Sequence, residues 1–173
     1  MTAITIGIDK RAGPIGLARR IIEGWALLGG ALLLAIVLMN TWSVISLSAL
    51  GFPVPGDFEM VQMGVAIAAF SFLPYCQLTG TNVTADIFTS RASPRWVALF
   101  ALLAALVAVA FSVLLIWRMS DGLASYLEYE EVTTILNIPL WTAFPPILIS
   151  LALLIVASAI TVGQALRGVH PSG

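Results

Sequence analysis

Residues 96–117 read WVALFALLAALVAVAFSVLLIW, a run of 22 positions between Arg95 and Arg118 without a single charge. As a helix rising 1.5 Å per residue the run is about 33 Å long. That matches a hydrocarbon core about 30 Å thick, which takes roughly 20 apolar residues to cross. The apolar residues follow one another without the polar–apolar alternation of a barrel strand, as in Ala101 to Ile116. In lipid each backbone amide must be satisfied within its own segment or in a closed barrel, so a continuous apolar run of this length is a helix.

Three further charge-free stretches flank this one. They hold 33 residues between Glu23 and Asp57, 26 between Glu59 and Asp86, and 35 between Glu131 and Arg167. Gly and Pro punctuation in the two longest leaves room for one crossing each, so the chain is expected to be an all-α integral membrane protein with four transmembrane helices. Of its 173 residues 60% are apolar and only 10% charged, against roughly 25% charged in a soluble domain. A net charge of −1 leaves no basic excess for phosphates, which argues against nucleic acid as a partner.

Basic residues near span ends mark the cytoplasmic side. Lys10, Arg11, Arg19 and Arg20 precede span one, Arg91 and Arg95 lie between spans two and three, and Arg167 follows span four; only Arg118 falls on the other side. Both termini are therefore expected in the cytoplasm. Residues 1–13 read as a flexible tail, 14–166 as a single membrane domain, and 167–173 as a second tail. The spans are placed at about 24–47, 57–78, 95–119 and 140–166. Pro14 suits a first helical position. The mixed apolar and basic residues from Ile15 to Ile22 suit a short N-terminal interfacial helix, on which Arg19 and Glu23 can pair. The first apolar run is too long for the core of a cleavable signal peptide, so it reads as a retained span.

Gly51-Phe52-Pro53-Val54-Pro55-Gly56 reads as an external turn, with Asp57 as N-cap of span two. Span three can continue outward as an exposed helix towards Leu127. Pro145-Pro146 removes backbone donors and predicts a kink or a fresh helix start. Trp42, Trp96, Trp117 and Trp141 sit near span ends as interfacial anchors.

Chemistry is sparse in the spans. The single histidine, His170, is three residues from the end, which excludes a bis-histidine haem. No His, Cys or carboxylate cluster has metal-ligand spacing, and no nucleophile–base pair marks a catalytic site. No cofactor is expected. Cys76 has no disulfide partner and reads as a small buried residue. No ionisable group lies near the middle of a span, where its cost would mark an ion or substrate path. Glu59, one turn into span two, shares a face with Gln62. The pair either hydrogen-bonds to a neighbouring helix or partner subunit, or Glu59 simply favours the positive helix N-terminus. Asn40, the most interior polar group of span one, reads as interhelical glue. Small residues Gly29, Gly30, Ala31, Gly64, Ala66, Ala68 and Ala69 permit close helix approach.

Several motifs then agree in order and spacing. Leu73-Pro74-Tyr75-Cys76-Gln77 leads into Asn82-Val83-Thr84-Ala85-Asp86-Ile87-Phe88; Glu59 opens a Glu-Met-Val run; and Leu136-Asn137-Ile138-Pro139-Leu140-Trp141 enters the last span. Over residues 15–165 the chain resembles the small membrane subunit of tripartite ATP-independent periplasmic (TRAP) transporters. It departs from that pattern at Asn82, where many members have histidine, and at Pro145-Pro146.

The resemblance implies a scaffold. In such systems a periplasmic binding protein captures an organic acid, and a large multi-span subunit carries the substrate and sodium sites. The small subunit braces that large subunit in a bacterial inner membrane among its lipids. On this reading Asn40, Glu59 and Gln62 serve helix or subunit contacts, and Asp86, Arg91 and Arg95 organise the cytoplasmic surface. Glu128, Glu130 and Glu131 either meet the binding protein or form a solvated acidic loop. The alternatives are a self-assembling small channel or exporter, which a polar stripe along a span would indicate, and a membrane anchor of another complex.

Overall fold

The computed structural model describes residues 14–79 and 94–169, and the side-chain surroundings of residues 15–79 and 103–163. The expectations for Asp86, Arg91 and the terminal tails, and those for the side chains of Arg95, Trp96 and Arg167, lie outside these residues. The described chain is all-helical: α1 (Pro14–Leu50), α2 (Asp57–Thr79), α3 (Pro94–Glu128), a 3-10 turn (Leu140–Ala143) and α4 (Phe144–Val169). Four of these helices are long and apolar enough to cross a membrane.

The helix boundaries follow from local chemistry. Pro14 opens α1 with its fixed φ and missing N–H, and Gly51 closes it at φ +85°, donating its N–H to the Leu47 carbonyl. Among the described residues no separate helix precedes the first span. Residues 15–22 continue unbroken into the span, and Arg19 pairs with Glu23 at 3.6 Å on its exposed surface. At 37 residues α1 is about 55 Å long, well beyond the hydrocarbon thickness. Asp57 is the first helical residue of α2, not its cap. The preceding carbonyl, Gly56, accepts the Met60 N–H, while Asp57 Oδ1 accepts the Phe58 N–H at 2.7 Å.

The third span does continue as one unbroken helix, to Glu128. The double proline marks a fresh start. Pro145 and Pro146 occupy the second and third positions of α4, where helix N–H groups have no partner to lose.

Packing is sequential in space and not in the chain. Among the described residues α2 lies against α1 and α4, α3 lies against α4 and the 3-10 turn, and α1 touches α4 lightly. The core is correspondingly centred on α4: Ile147, Leu151 and Leu154 meet Ile67 and Phe70 from one side and Leu115, Ile116 and Met119 from the other. Between α1 and α2 the backbones come close, because Gly29 faces Ser71 and Gly64 receives Ile36. A Cβ on Gly29 would stand 2.6 Å from that of Ser71. Of the expected small-residue contacts, Gly29, Gly64 and Ala68 are buried; Ala31 and Ala69 are exposed.

The result is an open arrangement with broad apolar flanks. Leu27, Leu34, Leu38 and Trp42 on α1, and Val107, Phe111 and Trp117 on α3, are all more than half exposed. Lipid or partner helices must cover them.

Candidate functional site

Many polar groups of the described chain gather where the helices meet the α1–α2 and α3–α4 connections. Two serines on α1 hold the first turn. Ser43 donates to Asp57 Oδ2 and accepts the Val54 N–H at 3.1 Å, and Ser46 donates to the Phe52 carbonyl at 2.9 Å. Serines three apart share a helical face, so both hydroxyls reach the same turn.

The second connection closes on itself. Thr133 N–H donates to the Ile138 carbonyl at 2.9 Å and Leu140 N–H to the Glu131 carbonyl at 3.0 Å, with Val132 bridging Pro139. Thr133 Oγ1 accepts the Ile138 N–H at 3.0 Å. Asn137, at φ +53°, turns the tip; asparagine tolerates this region better than most residues.

Glu59 joins the two connections. Its Oε1 accepts the Ile135 N–H at 2.8 Å and its Oε2 the Leu136 N–H at 3.0 Å. Both carboxylate oxygens thus receive charge-assisted hydrogen bonds from successive amides of one loop tip. Leu136 in turn sits on Gly56, whose φ of +74° suits glycine; a Cβ there would lie 2.3 Å from Leu136 Cγ. A clasp results, with the α2 start and the α1–α2 turn gripping a loop 76 residues further along the chain.

Beside the clasp lies a cavity of about 580 Å³, lined among others by Glu59, Gln62, Tyr126, Thr134 and Phe144. The continuation of α3 supplies one wall. Tyr126 stacks on Phe144 at 5.3 Å between ring centroids, tilted by 47°, and Gly122 lets Phe144 approach.

The expected residues that fall within the described chain now have a place. Glu59 holds a loop of its own chain, and Gln62, exposed one turn below, lines the same cavity without a hydrogen bond among the described residues. Asn40 is not brought to this site. It faces outward on α1, exposed and without a hydrogen-bond partner among the described residues. Glu128, Glu130 and Glu131 are exposed, and Glu130 lines a smaller cavity of about 320 Å³ with Trp141. Among the described residues no group of three or more metal-ligating side chains comes together.

Sequence reasoning missed Trp25. Its Nε1 donates to Ser150 Oγ at 2.8 Å and ties α1 to α4, while Ser150 donates to the Pro146 carbonyl. Trp25 stands one residue inside the expected start of span one, where a tryptophan reads as an interfacial anchor, so its position gave no signal of this bond.

Residues 36–168, more than three quarters of the chain, match the family model described as "Tripartite ATP-independent periplasmic transporters, DctQ component". The chain belongs to this family. Comparison with curated proteins and with solved structures gave no significant match. As a DctQ component it is one membrane part of a tripartite transporter, carried by four helices of spanning length. The family is one of transporter components and not of enzymes. The matched region takes in the clasp, the cavity and all of α2, α3 and the 3-10 turn, and it begins within α1, after Trp25.

Proposed function

We propose that this DctQ-family chain is the fixed scaffold of a sodium-coupled, binding-protein-dependent importer of organic acids in a bacterial inner membrane. It braces the large transport subunit and binds neither substrate nor sodium. Both termini are cytoplasmic, and the basic first turns of α1 lie at the cytoplasmic interface.

The observation that carries the reading is Asn40. Its amide sits on an exposed stripe of α1 with Val37, Val44 and Leu47, and among the described residues it has no partner. An amide turned towards lipid is unsatisfied, whereas against a partner helix it is worth about 0.6–2 kcal/mol. The open packing supports the same view, because α1 and α3 keep apolar flanks for a neighbour. Within the described spans the buried polar groups are hydroxyls and the Gln77 amide, not charges, which suits a brace better than an ion path.

The remaining assignments follow the same scheme. Glu59 and Gln62 shape the external face on which the periplasmic binding protein settles, with Glu128, Glu130 and Glu131 as its polar contacts. Asp86, Arg91 and Arg95 organise the cytoplasmic side.

Reconstitution tests this. The purified chain alone in liposomes should show no sodium-dependent uptake, and Asn40→Leu should lower recovery of the large subunit with a tagged chain. Uptake by the chain alone would overturn the scaffold assignment. Unchanged recovery with Asn40→Leu would remove Asn40 from the interface.

A further inference from the structure

At the end of the molecule opposite the clasp, the surfaces of α1 and α2 form a groove of about 460 Å³ lined by Glu23, Ala26, Leu27, Gly30, Phe72 and Tyr75. Its walls are almost wholly apolar, and its floor is open because Gly30 has no side chain. A Cβ on Gly30 would meet only the Phe72 ring, at 3.9–4.0 Å. One end of the groove carries charge. Positions 20, 23, 27 and 30 follow the three- and four-residue steps of a single helical face, so Arg20 stands one turn beyond Glu23 at the mouth. Helical side chains lean towards the helix N-terminus, so both groups point out of the groove towards the membrane surface. Arg20 is exposed and, among the described residues, unpaired. Glu23 shares only one oxygen, at 3.6 Å, with Arg19. The Tyr75 hydroxyl, four residues before the end of α2, is likewise without a partner among the described residues.

We propose that this groove is a binding site for one phospholipid with a zwitterionic, primary-amine headgroup, of the phosphatidylethanolamine class. An acyl chain lies along Leu27, Gly30 and Phe72, and the Tyr75 hydroxyl donates to a glycerol ester carbonyl at the depth where tyrosine ordinarily sits in membranes. Arg20 holds the phosphate through its forked N–H groups. The Glu23 carboxylate accepts from the ammonium, two carbons beyond the phosphate ester. The charge pattern selects the headgroup: a cation alone would favour any anionic lipid, but an acid one turn away disfavours phosphatidylglycerol and offers the amine a partner. The assignment needs α1 and α2 to span the membrane; it does not need the transporter reading.

The test uses the full chain, purified in mild detergent and challenged with equal phosphatidylethanolamine and phosphatidylglycerol, with retained lipid read by native mass spectrometry. The wild-type chain should retain the ethanolamine lipid preferentially, and Arg20→Ala should weaken retention about tenfold, the scale of one charge-assisted hydrogen bond. Glu23→Gln should bring the two lipids to within about twofold of each other. Gly30→Leu should fill the groove and abolish retention of both. Equal retention of both lipids by the wild type would overturn the proposal, as would a Gly30→Leu chain that still binds. Lipid binding that survives Gly30→Leu while recovery of the large subunit falls would make the groove a seat for a protein helix. Arg20 lies on an exposed turn, so its variant keeps the test open should Gly30→Leu not fold.

Discussion

The hydrogen bond between Trp25 and Ser150 offers the sharpest quantitative test of how the helices are held. It joins α1 to α4 at 2.8 Å, across two helices that otherwise touch lightly. Ser150 is 1% exposed, and the span interior has no water to replace a lost partner. Ser150→Ala removes the acceptor and leaves the indole N–H bare. Trp25→Phe removes the donor but leaves the serine satisfied, since its hydroxyl still donates to the Pro146 carbonyl at 2.8 Å. The phenylalanine variant also loses ring contacts unrelated to the bond, so neither single substitution measures it. The double-mutant cycle does. Interhelical hydrogen bonds in lipid average about 0.6 and reach about 1.7 kcal/mol, so the coupling should lie in that interval, a roughly 3- to 20-fold change in the folding equilibrium. Reversible unfolding in bicelles, by steric trapping or detergent titration, reads it directly. A coupling indistinguishable from zero, with each single variant as stable as the wild type, would refute the view that a specific bond seats α1 on α4.

Two further predictions concern the external clasp. Glu59→Gln leaves one carbonyl acceptor for two donors and Glu59→Ala leaves none, so amide hydrogen exchange at Ile135 and Leu136 should quicken in that order; equal protection in all three chains would show that the loop holds its shape without the carboxylate. Gly56→Ala meets both a φ of +74° and Leu136; a non-glycine residue so placed costs about 1–3 kcal/mol, and limited proteolysis should cut the 129–139 loop faster than in the wild type.

The helices were legible because their cause is local. Residues 96–117 have one way to satisfy their backbone in lipid, and Gly51, Gly56 and the double proline punctuate the chain wherever they stand. The fresh start at Phe144 and the unbroken run of α3 to Glu128 needed no knowledge of neighbours. The separateness of the first turns from span one is what the structure corrects. A mixed apolar and basic segment signals a surface position, but nothing between Ile22 and Gly24 breaks the backbone, so the helix continues. The site was legible only in part. Glu59 stood out as the deepest acid, yet its partners are two backbone amides whose sequence identity is irrelevant to the bond. No side-chain pattern encodes an N–H donor 76 residues away. Trp25 was passed over for a similar reason: an indole and a serine carry no charge, and their pairing depends on how α1 tilts across α4.

These placements bear on how the chain meets its neighbours. Glu59 has both oxygens engaged by a loop of its own chain. The buried serines at positions 43, 46, 71, 112 and 150 each bond a helix or a turn of the same chain. Among the described residues the polar side chains left uncommitted in the spans include the buried Ser158 hydroxyl, the Tyr75 hydroxyl, and the exposed Asn40 and Gln62, one on the outer flank of α1 and one in the cavity beside the clasp. Polar groups that fold a membrane protein are used up inside it, and those that recruit a partner must be left over. That contrast supports the proposal that α1 and the cavity beside the clasp are the surfaces this transporter component offers to its partners.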